Sequence, residues 1–346
     1  MKYLYDIAIM RPIIILLVVI YHSFAMYAGV WAAPDGLQEV PLYLWICKFA
    51  QGFHIEGMAF IAGYVYAFQC LSLKKISSFG TFVLKKAKRL FIPSVVFGIL
   101  YYFLYIFDVV SFDLIGFVIQ ILTGVGHLWY LPMLFWCFIG LWVIDHYQLS
   151  SWWLLLLLAI VSICPGLPIP FGFANVPHFL FYCYLGYWLY DHSDLIKSKI
   201  SNRAIILTFW IIYIGLCSID IIFVYPTKDV VYPLLTDKLY VYSIRGILKL
   251  GTACSGILAL YSTINLFIYQ HINTSKERLI HNASNLSFGV YLCHQFILIG
   301  LYYHTPLLEH VGSYWFPWIG LVFALVASVG ITYLALKTKI GQFLMK

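Results

Sequence analysis

The chain has 346 residues, of which 63% are apolar and only 10% charged, against about 25% charged in ordinary soluble domains. So few charges cannot solvate the two or three soluble domains that this length would hold, and a disordered chain needs the opposite composition. A multi-pass membrane protein remains, and its 28 Tyr, 27 Phe and 11 Trp suit the headgroup belts of a bilayer.

A crossing helix needs about 20 mostly apolar residues. Ten stretches qualify, at about 7–29, 43–70, 90–107, 128–147, 151–170, 176–190, 204–224, 243–268, 285–303 and 314–336. Residues 111–125 are a further apolar stretch, short and ended by glycine, expected as a re-entrant or interfacial helix. The predicted fold is an all-α, polytopic membrane bundle of about ten transmembrane helices, a single domain over 1–346 with both termini cytoplasmic.

Charge placement supports that topology. With the N-terminus inside, the inner loops hold most of the 21 Lys and Arg: Lys2; the run Lys74, Lys75, Lys85, Lys86, Lys88 and Arg89; then Lys197, Lys199 and Arg203; Lys276 and Arg278; and Lys337, Lys339 and Lys346. Outer loops hold Lys228 and Lys238 beside Asp35, Glu39, Asp108, Asp113, Asp229, Asp237 and Glu309. This is the positive-inside pattern. Counting 111–125 as a full crossing would invert everything after it. The net charge of +7 is therefore assigned to topology, and no nucleic-acid partner is expected. The first stretch has Lys2, an apolar core and the small residues Ala25 and Ala28, as a signal peptide would; Arg11 within it and its Tyr- and Trp-rich continuation favour a retained span. The eight cysteines, Cys164 among them, are scattered without a C-x-x-C pair and read as small buried hydrophobes, so no metal site is expected.

Arg11, Lys48, Arg245, Lys249 and Glu56 fall within or at the edge of the predicted spans. Intramembrane charges cost a few kcal/mol each and mark cavities or sites. His22, His54, His127, His178 and His294 lie in spans or near their ends. Arg11 and His22 are eleven residues apart, nearly three helical turns, on one face and roughly 16 Å apart. A guanidinium near the cytoplasmic mouth and an imidazole deeper in suit an anionic donor and a proton-accepting base. The bland alternative is a snorkelling Arg and a hydrogen-bonded bundle His. Glu56 needs a partner, either an imidazole such as His22, with His54 close by, or a cation such as Lys48 or Arg245. Arg245 and Lys249, four apart, repel on one helix face and call for a polar cavity or an anion. The basic run before Pro93 is a membrane anchor, a phosphate contact, or both. Trp129, beside His127, is a belt residue or a sugar-stacking platform.

Read together, these segments resemble acyltransferase family 3, the polytopic bacterial membrane O-acyltransferases. Arg11-x10-His22 is similar to the family's first-span signature. Phe53-His54 through Phe60-Ile61-Ala62-Gly63-Tyr64 resembles the second-span motif, with Ala62 where Ser is usual. Lys86-x-x-Arg89 before Pro93, His127-Leu128-Trp129-Tyr130-Leu131-Pro132, Phe179 to Gly186-Tyr187 and Ser287 to His294-Gln295 follow in the family's order. Pro12 after Arg11 departs from the pattern and predicts a kink. The chain is expected to be of the short, stand-alone type, without an appended hydrolase-like domain.

The resemblance implies transfer of an acyl group, usually acetyl, from cytoplasmic acyl-CoA to a hydroxyl of a surface polysaccharide or its lipid-linked precursor, in the bacterial inner membrane. Arg11, Lys86 and Arg89 would hold the CoA phosphates. His22 would be the general base or carry the acyl group transiently, oriented by Glu56 or His54. His127, Trp129, Arg245, Lys249 and His294 would line the acceptor side. The alternatives are a glycolipid transporter or flippase with the charges along its path, disfavoured by the lack of an inverted repeat, and a regulator without catalysis.

Overall fold

The computed structural model describes residues 4–75, 77–107, 112–163, 173–200, 202–227, 230, 235–268 and 274–345; Lys2, Asp108, Cys164, Lys228, Asp229 and Lys346 lie outside them. Among the described residues the only regular structure is helical. The helices are α1 (Tyr5–Ser23), α2 (Pro41–Gln51), α3 (His54–Ala67), α4 (Phe79–Tyr105), α5 (Leu114–Thr123), α6 (Tyr130–His146), α7 (Trp152–Ile163), α8 (Val176–Asp191), α9 (Ser193–Ile200), α10 (Arg203–Ile219), α11 (Leu235–Thr263), α12 (Thr274–Tyr303), α13 (Leu307–Ala335) and α14 (Lys339–Met345). Seven helical stretches among the described residues are long and apolar enough to cross a membrane: Tyr5–Ser23, Phe79–Tyr105, Gly126–His146, Arg203–Thr227, Tyr240–Leu266, Lys276–Tyr303 and Leu307–Ala335.

Among the described residues the remaining predicted spans give shorter or interrupted helices. The stretch 43–70 is two helices, α2 and α3, separated at Gly52 and Phe53. A Cβ at Gly52 would stand 2.7 Å from the Tyr213 hydroxyl, and that hydroxyl donates to the Phe49 carbonyl. His54 Nδ1 donates to the Gln51 carbonyl at 2.9 Å. Side chains thus satisfy carbonyls that the break releases, the condition for irregular backbone at membrane depth. α7 has 12 residues and α8 has 16. α5, within 111–125, has 10 residues and is capped by Asp113, which accepts from Gly116 N at 2.7 Å. Its length of about 15 Å is half a bilayer core. α1 continues as one helix through Pro12.

The chain divides into two compact units. The first comprises Met1–Gly57, Lys197–Val231 and Gly251–Lys346. α1 lies inside it, with 61% of its apolar window buried, against 22% for Arg203–Thr227. α12 runs parallel to α1, since Arg11 meets Ser284 and His22 meets His294. α2 and the start of α3 run antiparallel to α1: Phe24 packs on Tyr43, Tyr21 on His54, and Ile14 on Gly57. α13 is antiparallel to α12, with Tyr302 against Phe316 and Gly289 against Thr332. Asp6, buried at the start of α1, pairs with Lys197 at 3.0 Å.

The second unit comprises Met58–Ile196 and Tyr232–Leu250. Its α3 and α8 cross backbone to backbone. A Cβ at Gly63 would overlap the Cys183 carbonyl, and one at Gly186 the Phe60 carbonyl. Without a hydrophobic drive inside lipid, such close approach through small residues is a main source of helix association. Gly124, at φ +90°, lets the chain turn from α5 against the Trp129 backbone and into the short 3-10 turn Gly126–Trp129.

Candidate active site

Arg11 and His22 share α1, Arg11 half-buried and His22 only 7% exposed. Their partners share α12. Arg11 Nη1 donates to Ser284 Oγ at 3.5 Å, and His294 Nε2 stands 3.1 Å from His22 Nδ1. Ser284 and His294 are separated by a rise of roughly 15 Å, which matches the roughly 16 Å between Arg11 and His22. Two parallel helices thus present a guanidinium–hydroxyl pair and an imidazole pair at nearly the same spacing.

Hydrogen positions follow from the carbonyls. His22 Nδ1 faces the Val18 carbonyl at 2.9 Å, and His294 Nδ1 faces the Tyr291 carbonyl at 2.7 Å. A carbonyl only accepts, so each Nδ1 carries a proton. His294 Nε2 is then the acceptor for His22 Nδ1–H, and the lone pair of the neutral His22 ring resides on Nε2. That is the tautomer of a general base acting through Nε2.

Aromatic rings wall the pair. Tyr21 stands 4.8 Å from the His22 ring and 4.7 Å from the His54 ring, and Trp31 stands 5.6 Å from His22. Glu56 is 3% exposed, with Tyr21, Tyr213 and Cys254 in electrostatic range. His54 is in electrostatic range of His294. Five residues expected at the site, Arg11, His22, His54, Glu56 and His294, therefore belong to the first unit.

The structure adds contacts that the sequence reading did not name. His294, expected on the acceptor side, bonds His22. His22 Nδ1 also meets the Val18 carbonyl. Lys48 pairs with Asp220 at 3.2 Å and lies 4.9 Å from the Tyr225 ring, which accounts for its charge without Glu56.

The other expected residues belong to the second unit. Lys86 Nζ sits 3.4 Å from the Phe138 ring centroid, a cation–π contact. Arg89 is exposed. His127 is buried, with the Tyr101 ring at 6.5 Å. Trp129 and Lys249 both approach Phe179, at 5.7 and 5.9 Å. Arg245 is half-buried, Lys249 is exposed one turn on, and Gly246 between them packs on Ile163. Sequence reasoning missed Trp31, Ser284 and the pairing of His22 with His294. The available signal was that Ser284 and His294, ten residues apart, nearly match the eleven-residue spacing of Arg11 and His22.

A family model described as an acyltransferase domain matches residues 4–337, nearly the whole chain. The chain belongs to acyltransferase family 3. No curated protein and no solved structure matches it. Family membership and the apolar helices together make it a membrane acyltransferase. In this member of acyltransferase family 3 the motif residues Gly63 and Gly186 let helices touch, while Arg11, His22 and His294 lie along the α1–α12 interface.

Proposed function

We propose that the protein is a membrane O-acyltransferase that moves an acyl group, most simply acetyl, from cytoplasmic acyl-CoA to a hydroxyl of a cell-surface polysaccharide or its lipid-linked precursor. The observation that carries this reading is the placement of His22 Nδ1 against the Val18 carbonyl and His294 Nε2, which leaves the lone pair on Nε2. His22 Nε2 takes the acceptor hydroxyl's proton as the oxygen attacks the thioester carbonyl. The C–S bond breaks, and the proton passes to the departing thiolate, giving an ester and free CoA. Arg11 offers a planar fork for the donor's phosphates. Lys86 and the exposed Arg89 are assigned to the same ligand groups. Trp129, His127, Arg245 and Lys249 are assigned to the acceptor. His54 and Glu56 complete the polar lining.

We take residues 1–346 as one catalytic domain with ten crossings and both termini cytoplasmic, in a bacterial inner membrane. Parity supports the count. α1 and α12 are parallel, so an odd number of crossings separates them. Four long spans lie between them in sequence, which would make them antiparallel. The broken helix α2–α3 with α7 and α8 supplies three more. α13 then returns the chain to the side on which it began.

The test is CoA release by purified protein given acetyl-CoA and a glycan acceptor. Wild type should release CoA, and His22→Ala should lower the rate by at least about 100-fold, the scale of a positioned base. Full activity in His22→Ala would remove His22 from this role.

A further inference from the structure

The α1–α12 interface points to a role for His294 that substrate binding does not describe. We propose that His294 is a positioning residue: its Nε2 accepts the Nδ1 proton of His22 and so fixes both the tautomer and the ring orientation of the base. The inference rests on the acyl-transfer reading above.

Three observations carry it. His294 is fully buried on α12, so its ring is held by packing. Its own Nδ1–H is committed to the Tyr291 carbonyl at 2.7 Å, with Val290 O at 3.2 Å, which leaves Nε2 as acceptor. That Nε2 stands 3.1 Å from His22 Nδ1, whose proton it shares with the Val18 carbonyl at 2.9 Å. The two imidazoles form a directed chain, from His22 Nδ1–H to His294 Nε2 and from His294 Nδ1–H to the α12 backbone. When His22 takes a proton on Nε2, its ring becomes cationic and Nδ1–H a stronger donor. A neutral acceptor already in place stabilises that cation without reorganisation. A carboxylate does this work in the familiar triad, where it orients the imidazole and is not itself protonated. Here an uncharged ring does it.

Two substitutions separate this role from plain packing. Gln places an oxygen near the Nε2 position and can accept from His22. Asn is shorter, and its amide mimics Nδ1, keeping the bond to Tyr291 O and losing the bond to His22. His294→Gln should keep kcat within about threefold. His294→Asn should lose about 100-fold in kcat, within the range of a positioned base, with the KM for acetyl-CoA unchanged. Both proteins should elute as monodisperse species with wild-type thermal unfolding midpoints within a few degrees. Wild-type kcat in His294→Asn would overturn the proposal. So would equal losses in the two variants, or a loss confined to KM, since each marks packing or substrate binding. His22→Ala, run alongside, keeps the two claims apart. An active His22→Ala refutes the base itself, whereas an inactive His22→Ala with an active His294→Asn refutes only the positioning role.

Discussion

Lys48 and Arg11 are intramembrane cations held in different ways, and their substitutions should separate accordingly. Lys48 is paired with Asp220 at 3.2 Å, its side chain 17% exposed and that of Asp220 32% exposed. Removing one partner strands the other charge, whereas removing both relieves it. Lys48→Met and Asp220→Leu should each lower stability by about 1 kcal/mol, and the double variant should lose less than their sum, with CoA release intact. Thermal unfolding in detergent measures this. Arg11 Nη1 donates to the hydroxyl of Ser284 at 3.5 Å. With Arg11 assigned to the donor's phosphates, Arg11→Ala should raise the KM for acetyl-CoA by about tenfold with a smaller change in kcat, and Arg11→Lys should recover part of it, because a point charge lacks the planar fork. Initial rates against donor concentration decide it. The Arg11–His22 relation was readable in the sequence, because eleven residues is close to three turns. The His22–His294 bond was not, because 272 residues separate the partners and only the packing of α1 on α12 brings them together.

Helix interruption and helix crossing are settled between elements. Hydropathy runs without a gap from 43 to 70, yet the helix stops at Gly52 and Phe53. Local propensity does not force the break. It is held by Tyr213, which comes from α10 and covers Gly52 while bonding the Phe49 carbonyl. A hydropathy window cannot see a third helix. α13 is likewise interrupted at Gly312, whose φ of +69° no β-carbon favours, so the predicted start at 314 falls just after that kink. The α3–α8 crossing yields a stability prediction. Its contact is carbonyl against glycine, so nothing flexible can yield. Gly63→Ala and Gly186→Ala should each destabilise by about 1–3 kcal/mol, the cost of overpacking, and lower the unfolding midpoint. Gly215→Ala, where a Cβ meets nothing within 4 Å, is the control that should not.

At the scale of the molecule, the account makes a claim about sidedness and a claim about chemistry. Composition alone made the chain a membrane bundle, since 10% charged residues allow little else. Among the described residues, seven of the ten expected spans are long, apolar helices, and 43–70 is divided, which hydropathy cannot foretell because it reads sequence length and not helix continuity. With ten crossings, a fluorescent protein fused after residue 346 should fold and fluoresce in the cytoplasm, while alkaline phosphatase fused at residue 35 should be active outside. A dark C-terminal fusion with phosphatase activity there would require an odd number of crossings. The chemical claim is that His22 moves an acyl group onto a surface glycan. It is tested most directly by mass spectrometry of surface glycans from cells that carry wild-type protein, His22→Ala, or neither. The account predicts glycan masses increased by one or more acyl groups with wild type, and unmodified glycans in the other two at equal protein levels. Glycans equally acylated with His22→Ala would contradict it.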